Sequence, residues 1–248
     1  MPKPFFDPAA VHAPARLLGW FVLAFSAGAV NAIAFAACAR FVTHVTGIVT
    51  RIGLDAGHVV LLLEYFLVLG AFVLGAASAV ALCDGRRWRG LSPRPWLPLA
   101  AVSAVLGTVG VAGELGAFGT FGGGVEEPGD FALLTVLAFA MGMQNAGVAT
   151  ATGMLVRTTH MTGPATDLGI AISTLLHAAP AEVLAAARAS VVLRAGKIAS
   201  FAAGAGAGLV LAHALGYVAF AAPALAVTVV AMSMLGATPS RSPALRAG

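Results

Sequence analysis

Apolar residues follow one another without alternation through six stretches of this chain: 17–38, 58–83, 96–117, 131–152, 191–214 and 216–236. Each is long enough to cross a bilayer as a helix, which takes about 20 residues. Strands of a membrane barrel would alternate apolar and polar positions over about ten residues, so the pattern excludes a barrel. Two further segments, 43–57 and 161–179, interleave Thr and Gly with apolar positions. They are expected as short helices that dip in or pack against the bundle without crossing.

The polar positions repeat. LAFSAGAVNA (23–32) and LAFAMGMQNA (137–146) match at six of ten positions. THVTGIVTRIG (43–53) and THMTGPATDLG (159–169) match at six of eleven. Shared Ala and Leu follow from low complexity, but shared Asn, His and spaced Thr and Gly do not. An internal duplication accounts for them. Three crossings per copy invert the second copy relative to the first, as in transporter folds with a pseudo-two-fold axis in the membrane plane.

The expected fold is therefore all-α, a polytopic membrane protein of six transmembrane helices. They form two inverted three-helix repeats, each with an extra short non-spanning helix after its first span. Residues 1–16 read as a cytoplasmic N-terminal segment and 17–117 as the first repeat. Residues 118–130 read as an external acidic and Gly-rich connector, 131–236 as the second repeat and 237–248 as a cytoplasmic tail.

Composition agrees: 59% of the 248 residues are hydrophobic and 10% charged, where soluble domains carry about 25% charge. Charge then orients the chain. With six crossings and both termini inside, Lys3, Arg16, Arg86, Arg87, Arg89, Arg94, Arg157, Arg188, Arg194, Lys197, Arg241 and Arg246 lie on or near the inner side. Only Arg40 and Arg51 lie outside, and Glu126, Glu127 and Asp130 fall with them. That distribution obeys the positive-inside rule. It orients the bundle in a lipid bilayer, its expected partner, with both termini cytoplasmic. No basic stripe or motif points to nucleic acid. Cys38 and Cys83 read as small buried side chains rather than a disulfide framework.

Candidate chemistry clusters in the duplicated elements. Ala24, Gly28 and Asn31 share one helix face, as do Ala138, Gly142 and Asn145. Small residues beside one amide make a close-packing face with polar glue. The two asparagines read as interhelical hydrogen-bonders ahead of solute ligands. In the pentads Thr43, His44, Thr46 and Gly47 match Thr159, His160, Thr162 and Gly163. Thr43 and Thr159 are placed to cap the helices that follow, with Thr46 and Thr162 as alternatives. Charges within the bundle are Arg51, Glu64, Asp167, Arg194 and Lys197, and such charges are paired or functional. Arg51 and Asp167 occupy equivalent positions with opposite sign. They either form an ion pair between the repeats or stay apart at the interface. GAGAG (204–208) reads as close helix packing rather than a nucleotide loop. Two histidines without a third ligand make no metal site, and no cofactor is implied.

The G-x-x-N-A helix followed by T-H-x-T-G, and QNA (144–146) followed by THMTG and TDLG (166–169), resemble the YoaK family of bacterial membrane proteins. The resemblance covers about residues 15–236. It implies a six-span inner-membrane protein of unknown function and carries no catalytic residues with it.

The residues favour a secondary transporter or carrier of a small solute, with a central site where the repeats meet. A membrane-embedded enzyme ranks lower, because no nucleophile–base pair or metal motif occurs. A non-catalytic membrane scaffold or sensor is the third alternative.

Overall fold

A computed structural model describes residues 4–123 and 128–237. Lys3, Glu126, Glu127, Arg241 and Arg246, named above for their charge, lie outside the described residues. The chain runs α1 (Pro8–Val11), α2 (Pro14–Cys38), α3 (Val45–Leu54), α4 (Val59–Cys83), α5 (Trp96–Glu114), α6 (Pro128–Ala151), α7 (Thr162–Leu175), α8 (Ala181–Leu215) and α9 (Ala221–Ser233). Two 3-10 turns, Asp84–Arg89 and Gly216–Phe220, complete it, and the described residues hold no strand.

Five helical stretches are long and apolar enough to cross a membrane. Four cover α2, α4 with the 3-10 turn that follows it, α5 and α6, and the fifth runs 53 residues from Ala181 to Ser233. At 1.5 Å per residue a continuous helix of that length would reach about 80 Å, far beyond a ~30 Å hydrocarbon core. Gly216, with φ +54°, breaks it, and the 3-10 turn leads into α9. The break falls between the fifth and sixth apolar runs. The helix before it starts at Ala181, ten residues ahead of run 191–214, because its first turns are Ala-rich and carry Glu182 and Arg188. The short segments form α3, of 10 residues, and α7, of 14. At about 15 and 21 Å, neither is long enough to span.

Packing crosses from one half of the sequence to the other. α2 lies along α8 and α6 lies along α4, while α5 packs on α9. Each half keeps its short helix on its own second long helix, α3 on α4 and α7 on α8. Glycine explains the two cross-half pairs. A Cβ placed on Gly28 would overlap the carbonyl of Phe201, and one on Gly204 would overlap that of Phe25. In the other pair Gly142 meets the Phe72 carbonyl and Gly75 meets that of Phe139. Backbones approach this closely only without a side chain between them, which also permits weak Cα–H to carbonyl contacts.

The segments before α2 and α6 are packed parts of the bundle, where the sequence suggested simple flanks. Phe5, Phe6 and Val11 are buried, and the Phe6 N–H donates to the Ala151 carbonyl at 2.9 Å, at the end of α6. Trp20 Nε1 donates to the Val11 carbonyl, and its ring meets Phe6 edge-on. In the connector, the Gly122 N–H donates to the Ala37 carbonyl at 3.0 Å, near the end of α2. Phe118 and Phe121 hold Tyr217 beside it.

Candidate functional site

Each pentad sits where the chain turns from a first long helix into a short one. Asn31 Oδ1 accepts the Thr43 N–H at 3.1 Å, and Asn145 Oδ1 accepts the Thr159 N–H at 3.4 Å. The asparagines therefore fix the approach to the short helix within their own half rather than bridging long helices. This also corrects the caps. Thr43 and Thr159 spend their N–H groups on asparagine and stand ahead of the helix starts at Val45 and Thr162. Neither start carries a side-chain bond from its N-cap residue, His44 or Met161.

The histidines answer to the pentad glycines. A Cβ on Gly47 would stand 2.6 Å from His44 Nδ1, and one on Gly163 would stand 3.0 Å from His160 Nε2. In both copies the imidazole folds back over the glycine, which is why H-x-T-G is repeated as a unit. In the second copy His160 Nε2 accepts the Gly163 N–H at 3.1 Å and serves as the cap. An accepting ring nitrogen requires neutral imidazole there. Burial, then Arg157 and Lys197, hold the His160 pKa below its ordinary value. Thr50 and Thr166 donate back to the carbonyls of Thr46 and Thr162, so both threonine faces are alike.

Around these shared parts the halves differ. In the second half α8 sends two cations onto the loop before α7. Lys197, 2% exposed, donates to the Arg157 carbonyl and reaches the His160 carbonyl at 3.4 Å. Arg194 donates to the Leu155 carbonyl at 3.3 Å and to Asp167 at 3.2 Å. In α4, the spacing of 129 residues that relates Phe72 to Phe201 and Gly75 to Gly204 places Tyr65 opposite Arg194 and Val68 opposite Lys197. No cation reaches the first loop from α4. A cavity of about 540 Å³ lies there, lined among others by Arg40, His44, Thr46, Thr50, Arg51 and Tyr65, with Val68, Phe131 and Leu134 on its apolar wall.

Arg40 donates to the Tyr65 hydroxyl at 3.1 Å and lies 4.9 Å from the Phe131 ring centre. Arg51 lies 3.9 Å from Asp55, one turn along its own helix, and stays 61% exposed. Asp167 pairs with Arg194, so Arg51 and Asp167 belong to separate local pairs. Glu64, half-buried beside Tyr65, is not among the lining residues. The cavity thus gathers His44, Thr46, Gly47 and Arg51 from the expected set. Asp167 and Arg194 line a smaller cavity, about 370 Å³, between α7 and α8, and the second pentad and Lys197 line neither cavity.

Sequence reading used Arg40 only for topology and missed Tyr65, and it missed that the four helices of the α2–α8 and α4–α6 pairs each carry Phe-x-x-Gly (25–28, 72–75, 139–142, 201–204). The second and fourth copies were legible as a pattern, yet Gly is so frequent here that only the pairing makes them stand out. GAGAG packs as expected. Gly204 and Gly208 abut Phe25 and Ala29, while Gly206 faces open space. Cys38 and Cys83 are free and buried. No group of three metal-ligating side chains occurs among the described residues.

A family model described as "Protein of unknown function (DUF1275)" matches residues 19–233. No curated protein and no solved structure matches the chain.

Proposed function

The chain belongs to the DUF1275 family of proteins of unknown function, and we propose that it is a secondary carrier of a small solute working by alternating access. The observation that carries this reading is the inequality of two related mouths. One holds a cavity of about 540 Å³ against the pentad; at its counterpart Lys197 and Arg194 clamp the loop, and a smaller cavity of about 370 Å³ lies beyond it, lined by Asp167 and Arg194. Carriers built from inverted repeats exchange the conformations of their halves, so that a site opens first to one face and then to the other. The duplicated motifs, the swapped packing of α2 on α8 and α6 on α4, and the matched Gly–Phe crossings support that symmetry. The finer topology belongs to this proposal. Six crossings, with Gly216–Ser233 as the sixth, put the termini in the cytoplasm and the cavity at the outer face of a bacterial inner membrane. The kinship with the YoaK family rests on the same paired motifs.

Thiol labelling tests the exchange. In a Cys38→Ala, Cys83→Ala background, Thr43→Cys and Thr159→Cys probe equivalent positions, half-buried and 6% exposed respectively. A membrane-impermeant maleimide should label Thr43→Cys rapidly from the outer face. Thr159→Cys should react slowly, and from the inner face. Complete protection of Thr159→Cys in the folded protein, however long the reaction, would leave a static scaffold instead.

A further inference from the structure

We infer that the segment ahead of α2, Pro4–Ala13, is a built-in plug: it fills in the second half the space that the larger cavity occupies in the first, and it must lift before the THMTG loop opens. The inference rests on the carrier reading and names what holds its second mouth.

The repeat extends upstream of its motifs, and that places the plug. Pro14 opens α2 and Pro128 opens α6, 114 residues apart, the spacing that relates Asn31 to Asn145. Ala39 and Gly153 stand at the same spacing, and both are left-handed, with φ +56° and +60°. Ala37 and Ala151, two residues earlier, each accept one N–H from a segment that leads into a first long helix. Gly122, ahead of α6, donates to Ala37 at 3.0 Å, and Phe6, ahead of α2, donates to Ala151 at 2.9 Å. Both leading segments therefore dock at equivalent carbonyls.

Beyond that bond they part. In the first half Ala39 lines the larger cavity, together with Phe131 and Leu134 from the start of α6. The described connector residues, 118–123, are not in that lining, and Phe118 and Phe121 turn to Tyr217. In the second half the same spacing puts Gly153, Leu17 and Trp20 at those three positions. Pro4 stands against Gly153, where an added Cβ would lie 3.2 Å from the proline Cβ. Phe6 meets Trp20 edge-on, with ring centres 5.9 Å apart, and Arg16 lies over the Phe6 ring. Phe5 and Phe6 are 2% and 3% exposed. What remains of the second-half space is the cavity of about 370 Å³. Its Asp167, Ile170 and Arg194 are the counterparts of Arg51, Leu54 and Tyr65 in the larger one. Gly153, Leu17 and Trp20 do not line it. The plug thus accounts for both the place and the smaller volume of what is left. Lys197 holds the far end of the same loop. One helical turn and a pair of packed rings open at less cost than a crossing helix.

Thiol labelling in the Cys38→Ala, Cys83→Ala background tests the plug. Phe6→Ala takes the ring from Trp20. Thr159→Cys should then react at least about tenfold faster from the inner face, because a rate that waits on local opening follows its free energy. Thr43→Cys should keep its rate, and Phe6→Leu should restore most of the protection. Pro4→Gly leaves the buried rings in place and should act in the same direction to a smaller extent, which covers the case of a Phe6→Ala chain that does not fold. Equal acceleration at Thr43→Cys would mark general loosening and overturn the plug. Slow labelling of Thr159→Cys that neither Phe6→Ala nor Pro4→Gly alters would keep the carrier and reject the plug. Thr159→Cys fully protected behind the intact segment, yet labelled in Phe6→Ala, would keep the plug and reject the carrier.

Discussion

The two pentads share their threonines, their folded-back histidines and their asparagine anchors, yet different side chains stand against them. Around THVTG, α4 presents Tyr65 and Val68, and a cavity remains. Around THMTG, α8 presents Arg194 and Lys197, and the loop carbonyls are drawn onto the cations. The comparison separates two kinds of information in a duplicated sequence. The retained residues build the turn. The residues that diverged, on the second long helix of each half, set what lies against the turn. Charge at a buried position is the means, because a cation in a low-dielectric interior must find carbonyls or a carboxylate.

The crossings should be the most sensitive feature and should behave alike in both halves. Gly28→Leu and Gly142→Leu each drive a side chain into a carbonyl of the facing helix. Losses of about 3 kcal/mol or more are expected, at or beyond the top of the over-packing range. Detergent or urea unfolding measures them, and a marked difference between the two variants would break the symmetry of the frame. Lys197→Met should come next, at about 1–3 kcal/mol, since it strips the Arg157 and His160 carbonyls of their donor. Val68→Met, its counterpart, should change stability by less. Asn31→Leu and Asn145→Leu should each cost about 1 kcal/mol by releasing one threonine N–H. A clearly larger effect at either site would assign that asparagine a further role.

A smaller effect follows from His160. Its pKa is depressed in the folded state, so the unfolded chain takes up the proton first as pH falls. The contribution is full above the ordinary histidine value of about 6.5 and declines as pH drops below it. His12, also depressed by burial and by Arg194, adds with the same sign. Melting temperatures between pH 8 and 5 should therefore fall, and His160→Gln should flatten part of that fall. An unchanged slope would contradict an imidazole that must stay neutral to accept the Gly163 N–H.

Much of this architecture was legible in the sequence. Uninterrupted apolar runs gave the long helices, because lipid requires neither alternation nor an amphipathic stripe. Paired motifs marked where a long helix turns into a short one, and α3 and α7 appear where the two short segments were expected. The pairing of Arg51 with Asp55 and of Asp167 with Arg194 was not legible, because equivalence in a repeat says nothing of distance. The capping threonines failed for a local reason: one residue separates Thr43 from α3 and two separate Thr159 from α7, and in the second copy His160, three positions before Gly163, took that role. The Arg40–Tyr65 contact escaped notice since neither residue lies in a repeated motif. They meet only when the turn after α2 brings Arg40 to Tyr65 on α4. The N-terminal Phe5 and Phe6 looked like a flank because their partners, Trp20 and the end of α6, lie up to 145 residues away.

The central claim is that the cation on α8, not the pentad, decides which mouth is shut. Exchanging the two residues tests it most directly: Val68→Lys with Lys197→Val, in the labelling background. The account predicts that the labelling order inverts, with Thr159→Cys reacting faster than Thr43→Cys. If Thr43→Cys still reacts first in the exchanged protein, Lys197 does not set the state of the mouths and the account is wrong.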